Sequence, residues 1–180
     1  MTLRKNCEVY KTRNSLVKLK NLIIDPLFSV IEGDKLIKKI LVAIDGSVHA
    51  DHALDFALDL ALRYSAKIML LAVVPPVFLP VHSLKVLKSQ AIDDASKELE
   101  KCFSGMLSDA EGKAKKLTGL NVSTKLEHGN PDEIIISTAK LGNFDIIVIG
   151  SRGLGRRDYA LGSVSSRVAD NATCPVLIVK

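Results

Sequence analysis

A chain of 180 residues with 47% hydrophobic content is long enough for one full domain with a sizeable core, and a second complete domain is not expected. With no Trp, three Tyr and five Phe, that core has to be built from Leu, Ile, Val and Ala, as in parallel sheets covered by helices. The net charge of +5 is local: Arg4, Lys5, Lys11, Arg13, Lys18 and Lys20 stand against Glu8 in residues 1–24, which leaves 19 basic and 19 acidic residues elsewhere, so nucleic acid is not the expected partner of the domain.

Residues 1–36 show no clean periodicity and read as a basic, solvated arm with one short helix near 14–24. A tether to nucleic acid or acidic lipid is its alternative reading. The apolar stretch at 22–31 is interrupted by Asp25 and Pro26 and is not expected to be a leader. The domain is expected over 37–180. Residues 40–44 (ILVAI), ending at Asp45-Gly46, predict a buried first strand. Ser47 then caps a helix whose Ala53, Leu54, Phe56, Ala57, Leu60 and Ala61 share one face.

A second strand is expected over 68–74, stopped by Pro75-Pro76. The longest uncharged run, 68–84, contains three prolines and cannot be one spanning helix, so no membrane segment is expected. Residues 86–117, rich in Ala, Leu, Lys and Glu, predict a long helix frayed near Ser104-Gly105. Residues 122–126 predict an edge-like third strand. Asn130-Pro131-Asp132-Glu133 supplies a cap, a Pro at the first helical position and a reach-back Glu, starting a helix over Pro131–Leu141. Residues 146–149 form a fourth strand, 163–171 a last helix and Val176–Val179 a fifth strand. Cys7, Cys102 and Cys174 lie far apart with no CxxC pair and no His at ligand spacing, so neither zinc nor a disulfide framework is expected, and they read as reduced thiols of a cytoplasmic protein.

Strands alternating with helices predict a doubly wound α/β fold: an open, parallel, five-stranded sheet of order 3-2-1-4-5. Its order reverses between the first and fourth strands, where a ligand crevice lies outside their carboxyl ends. There the glycine-rich segment Gly150-Ser151-Arg152-Gly153-Leu154-Gly155 leaves one strand, and Gly162-Ser163 opens a helix. Tight glycine turns and free amides at a helix start suit a phosphate. The loop is neither a P-loop nor GxGxxG. His49, His52, His82 and His128 have no partner at nucleophile spacing, and no catalytic base stands out.

The blocks Val42-Ala43-Ile44-Asp45-Gly46-Ser47, Ile146-Ile147-Val148-Ile149-Gly150-Ser151-Arg152-Gly153, Leu161-Gly162-Ser163-Val164-Ser165 and Cys174-Pro175-Val176-Leu177-Ile178-Val179, in this order, resemble the universal stress protein family over residues 37–180. The resemblance implies a Rossmann-like fold of the adenine nucleotide alpha hydrolase type. It also implies an adenine nucleotide such as ATP, at Ala43, Ile44, Asp45, Val73, Ile149, Gly150, Arg152, Gly153, Gly162, Ser163, Val164 and Ser165. Val73 would touch adenine, Asp45 the ribose or a metal such as Mg, and Gly162 to Ser165 the phosphates. ATP-binding members carry G-x2-G-x9-G-(S/T). Here only eight residues separate Gly153 from Gly162, so the loop is one residue shorter.

Plainer roles stand beside these: an Asx-turn for Asp45, a simple N-cap for Ser163, solvated surface for Arg152, Arg156 and Arg157, and core for Val73. The function expected is a stress-response binding module, not an enzyme. A slow Mg-dependent ATPase using Asp45, or a structural dimer that binds no nucleotide, are the alternatives. The apolar terminal strand Val176–Val179, on one edge of the sheet, is expected to pair antiparallel with a second copy in a homodimer. The competing arrangement has the N-terminal arm crossing that edge within one chain.

Overall fold

The computed structural model describes residues 7–10, 36–76, 89–120, 122–154 and 161–180. Their elements in chain order are β1 (Cys7–Tyr10), β2 (Lys39–Ile44), α1 (Val48–Tyr64), β3 (Lys67–Val74), α2 (Ser89–Thr118), β4 (Val122–His128), α3 (Pro131–Leu141), β5 (Ile146–Gly150), α4 (Ser163–Asn171) and β6 (Val176–Val179). Strands β4, β3, β2, β5 and β6 lie side by side in that order, all parallel, which is the 3-2-1-4-5 arrangement counted from the first predicted strand. The helix expected near 14–24 lies outside the described residues.

Successive side chains of a strand point to opposite faces, so a sheet buried on both sides divides its apolar residues between two cores. Ile40, Val42, Ile44, Ile68, Leu70 and Val148 face α1 and α2, where Leu54, Ala57, Phe103 and Leu107 close over them. Leu41, Ala43, Leu71, Val73, Ile147 and Ile149 face α3 and α4, against Ile135, Ala139, Val168 and Ala169. On α1, buried Ala50, Ala53, Leu54, Ala57, Leu58 and Ala61 follow the helical repeat. Ser47 caps the helix as expected, its hydroxyl accepting from the amide of Ala50 at 3.2 Å.

Two expectations about helices are corrected. Helix α2 does not fray at Ser104-Gly105 but runs unbroken past it. Buried Phe103, Leu107, Ala110 and Ala114 pin it to the sheet, which outweighs the local cost of a glycine of about 1 kcal/mol. A Cβ built on Gly105 meets nothing within 4 Å. Gly105→Ala is therefore expected to raise stability by about 0.5–1 kcal/mol in urea denaturation. Helix α3 starts at Pro131 as expected, yet the side chain of Asn130 makes no capping hydrogen bond, so the proline and the acidic first turn carry that boundary.

The two sheet edges are protected differently. On β4 the exposed positions are polar, with Lys125 and Glu127 in a 2.8 Å ion pair. On β6, apolar throughout, β1 pairs antiparallel, with Cys7 opposite Val179, Glu8 opposite Ile178, Val9 opposite Leu177 and Tyr10 opposite Val176. The open edge expected at β6 is thus filled by the chain's own arm. Nor do Val176 and Ile178 await a partner, since both are wholly buried in the core beside α4.

No described helix is long and apolar enough to cross a membrane. Cys102, on α2, is exposed and Cys174, between α4 and β6, is half-buried, and burial pushes the Cys174 thiol up from its ordinary range. Iodoacetamide at neutral pH is expected to label Cys102 well before Cys174, as peptide mapping over time would show.

Candidate functional site

Parallel strands deliver their carboxyl ends to one side, and the sheet order reverses between β2 and β5. Two turns meet at that point. After β2 the chain turns through Gly46, at φ +77°, a conformation that favours glycine. The Oδ1 of Asp45 accepts from the amide of Ser47 at 3.0 Å, so the Asx-turn is formed. The hydroxyl of Ser47 also donates to the carbonyl of Arg152 at 3.2 Å, which ties the β2 turn to the β5 turn.

The glycines after β5 have separate tasks. A Cβ on Gly150 would lie 2.7 Å from the carbonyl carbon of His49 and 2.9 Å from the amide of Ala50. Gly150 therefore admits the first turn of α1 against β5. At Gly153 a Cβ would lie 2.6 Å from Oδ2 of Asp45, so that carboxylate occupies the space a side chain would need. Gly162 is looser, its nearest such contacts being 3.4 Å from Ser151 and Arg152.

Helix α4 opens at Gly162, which has extended backbone and no side chain to cap with. The first intrahelical bond runs from the amide of Ser166 to the carbonyl of Gly162 at 3.0 Å, so the amides of Ser163, Val164 and Ser165 are first-turn donors without an intrahelical acceptor. Ser163 is exposed and Val164 half-buried. The hydroxyl of Ser165, by contrast, is spent on the carbonyls of Ser151, at 2.9 Å, and Gly162, at 3.0 Å. What Ser165 retains for a ligand is its amide.

Sequence reasoning passed over Ser151. Its amide donates to the carbonyl of Val179 at 2.6 Å and its carbonyl accepts from the amide of Gly162 at 2.8 Å. Its hydroxyl, however, has no hydrogen-bond partner among the described residues although Ser151 is 2% exposed. Buried polar atoms are rarely left so, and with under 1 Å² of accessible surface this hydroxyl is closed to a ligand as the turns stand. The signal was available as a serine directly after the strand-ending glycine.

Ala43, Val73 and Ile149 come together on the α3/α4 face, each exposed by less than a tenth. They offer a ligand an apolar rim and backbone. Ile44 belongs to the opposite core. Arg152 is half-buried beside Gly153; Gly155, Arg156 and Arg157 lie outside the described residues. Among the described residues no three His, Cys, Asp or Glu side chains gather to hold a metal. Asp45 by itself fits only Mg that brings its other oxygens from water and phosphate.

The model of the universal stress protein family matches residues 36–180. The universal stress protein YxiE of Bacillus subtilis is 36% identical over 149 residues, 81% of this chain and 100% of that one. The universal stress protein MJ0531 of Methanocaldococcus jannaschii is 32% identical over 172 residues, 92% of this chain and 94% of that one. Among solved structures, the universal stress protein UspA from Lactobacillus plantarum superposes with a TM-score of 0.70 at 24% identity, covering 80% of this chain and 98% of that one. Two others share the fold at 22% identity. One is a universal stress protein in complex with cAMP, with a TM-score of 0.59 over 81% of this chain and 98% of that one. The other is a family protein from Arabidopsis thaliana with AMP bound, at 0.56 over 79% and 91%. With the parallel sheet, the two turns that meet at its reversal and a family match spanning both, this chain belongs to the universal stress protein family.

Proposed function

We propose that this chain is a cytoplasmic, stress-responsive binding module that takes an adenine nucleotide into the crevice between β2 and β5. The phosphates lie against Gly153, Gly162 and the first-turn amides of Ser163, Val164 and Ser165, with Arg152 alongside. The base rests on the rim of Ala43, Val73 and Ile149. The observation that carries this reading is the start of α4 at the reversal of the sheet order, where the first-turn amides of Ser163, Val164 and Ser165 have neither an intrahelical acceptor nor a side-chain cap. Relatives of the same fold with AMP or cAMP bound support the ligand class. Where Mg accompanies the nucleotide, Asp45 would be the residue to hold it, through the carboxylate oxygen not engaged in the turn.

Binding is not coupled to efficient hydrolysis in this reading, because the sequence carries no Walker-type lysine and no carboxylate in a recognisable water-activating pattern. Self-association of two copies through β6 belongs to the same reading, on the condition that β1 leaves the edge.

Mass spectrometry of the protein purified without added ligand and then denatured is expected to find an adenine nucleotide. In calorimetry, Gly153→Val is expected to weaken nucleotide binding by about 100-fold or more, because the side chain collides with Oδ2 of Asp45 and forces that carboxylate or the loop itself out of place. Unchanged affinity in that variant, with the fold retained by circular dichroism, would remove the phosphates from this loop.

A further inference from the structure

Gly46 carries the turn after β2 at φ +77°, and a residue without a side chain does not hold such a position by itself. One restraint comes from inside the turn, where the amide of Ser47 donates to Oδ1 of Asp45 at 3.0 Å. A second comes from outside it. A Cβ built on Gly46 would lie 2.6 Å from Sδ of Met106, 2.9 Å from its Cε and 3.3 Å from its Cγ. The end of the Met106 side chain therefore rests on the main chain of the turn, in the space a side chain on Gly46 would take. Met106 belongs to α2, which packs on β3 and β4 and supplies none of the candidate site residues.

The contact has firm footing on its own side. Phe103, Leu107 and Ala110, one turn before, next to and one turn after Met106, are buried in the core under α2. They fix the backbone from which the thioether reaches out, and Met106 itself is half-buried. An unbranched, polarisable side chain suits an irregular gap of this kind. On the other side of Gly46 the contact leads to the groups that face the ligand. Oδ2 of Asp45 lies 2.6 Å from where a Cβ on Gly153 would stand, and the hydroxyl of Ser47 donates to the carbonyl of Arg152 at 3.2 Å. A turn that drifts takes Asp45 away from Gly153 and pulls on Arg152.

We propose that Met106 is a positioning residue for the nucleotide site, holding the Asp45-Gly46-Ser47 turn from α2 in the place that binding requires. The proposal rests on the reading that an adenine nucleotide occupies this site, and adds a residue that acts on it through the turn. The size of the effect follows from population arithmetic. Apparent affinity falls with the fraction of time the turn is in place, so a turn in place one time in ten binds about 10-fold more weakly.

The test is calorimetric titration of the full chain with ATP and Mg, and separately with AMP, for the parent, Met106→Ala and Met106→Leu. NMR of the parent labelled with 13C at its methionine methyls accompanies it. Met106→Ala is expected to bind about 10-fold more weakly, and Met106→Leu, which keeps the volume, within about 3-fold of the parent. On adding nucleotide, the Met106 methyl signal, identified as the one missing from Met106→Leu, is expected to move. That of Met69, packed on the opposite face of the sheet, is expected to stay. Leu54→Ala separates positioning from a general loss of stability, since it empties the core that α2 covers and is expected to keep its affinity. If Met106→Ala binds as the parent does, or the Met106 methyl does not move, positioning is refuted while nucleotide binding stands. If Leu54→Ala weakens binding as much as Met106→Ala, the effect is one of stability and positioning is again refuted. A parent that binds neither nucleotide overturns the reading of the site and this proposal with it.

Discussion

Gly150→Ala is expected to cost about 3 kcal/mol of folding stability and to lower the urea midpoint by about 1–2 M. A methyl group there would sit 2.7–2.9 Å from the main chain of His49 and Ala50, and main chain at a helix start cannot swing aside as the end of a side chain does. Either α1 backs away from β5 or β5 shifts from its neighbours β2 and β6, and both moves open the core on the α1 side. The contrast with Gly105, where a methyl meets nothing, makes the pair diagnostic: the same chemical change is expected to destabilise at one site and stabilise at the other. A Gly150→Ala variant within about 0.5 kcal/mol of the parent would show that the α1–β5 approach has slack.

Leu54→Ala is expected to cost about 3–4 kcal/mol, in the usual range for emptying a fully enclosed leucine site. Leu54 is 0% exposed and lies on the buried face of α1, within the core that α1 and α2 make with the sheet. The surrounding strands are held by ladders on both sides and cannot close over the void, which places the loss in the upper part of the range. Because the candidate site draws its apolar rim from the opposite core, nucleotide affinity measured well below the unfolding transition is expected to be unchanged. A loss below about 1 kcal/mol would mean that α1 settles into the cavity.

How much of this was legible in the residues depends on what each element is made of. Strands β2, β3 and β5 are buried on both faces and so read as unbroken apolar runs, and Pro131 marks the start of α3 by its own covalent geometry. Together these fix the sheet order and the place of the crevice. Strand β1 was not legible, because an edge pair is made by backbone and Cys-Glu-Val-Tyr carries no distinguishing pattern. Its partner lies at the far end of the sequence. Helix α2 misled because the glycine penalty is local and visible, whereas the packing that overrides it is not. In the site, the glycines could be recognised as a group but not apportioned: that Gly150 makes room for a helix and Gly153 for a carboxylate emerges only once α1 and Asp45 are in position. The same holds for Ser165, whose hydroxyl is diverted to two carbonyls.

The helices on the two faces of the sheet differ in length, with 17 and 30 residues in α1 and α2 but 11 and 9 in α3 and α4. A nine-residue helix does not persist alone in water, so α4 exists by virtue of Val168 and Ala169 on the sheet and the serine bonds at its start. Its amides will accordingly trade hydrogen for deuterium through small openings, while those of β5 wait for the whole domain to unfold. The candidate site thus joins the most enduring part of the molecule to one of its least. Part of any ligand's binding free energy goes into quieting that helix, and a change in protection along Ser163–Asn171 would report occupancy even where no atom has moved.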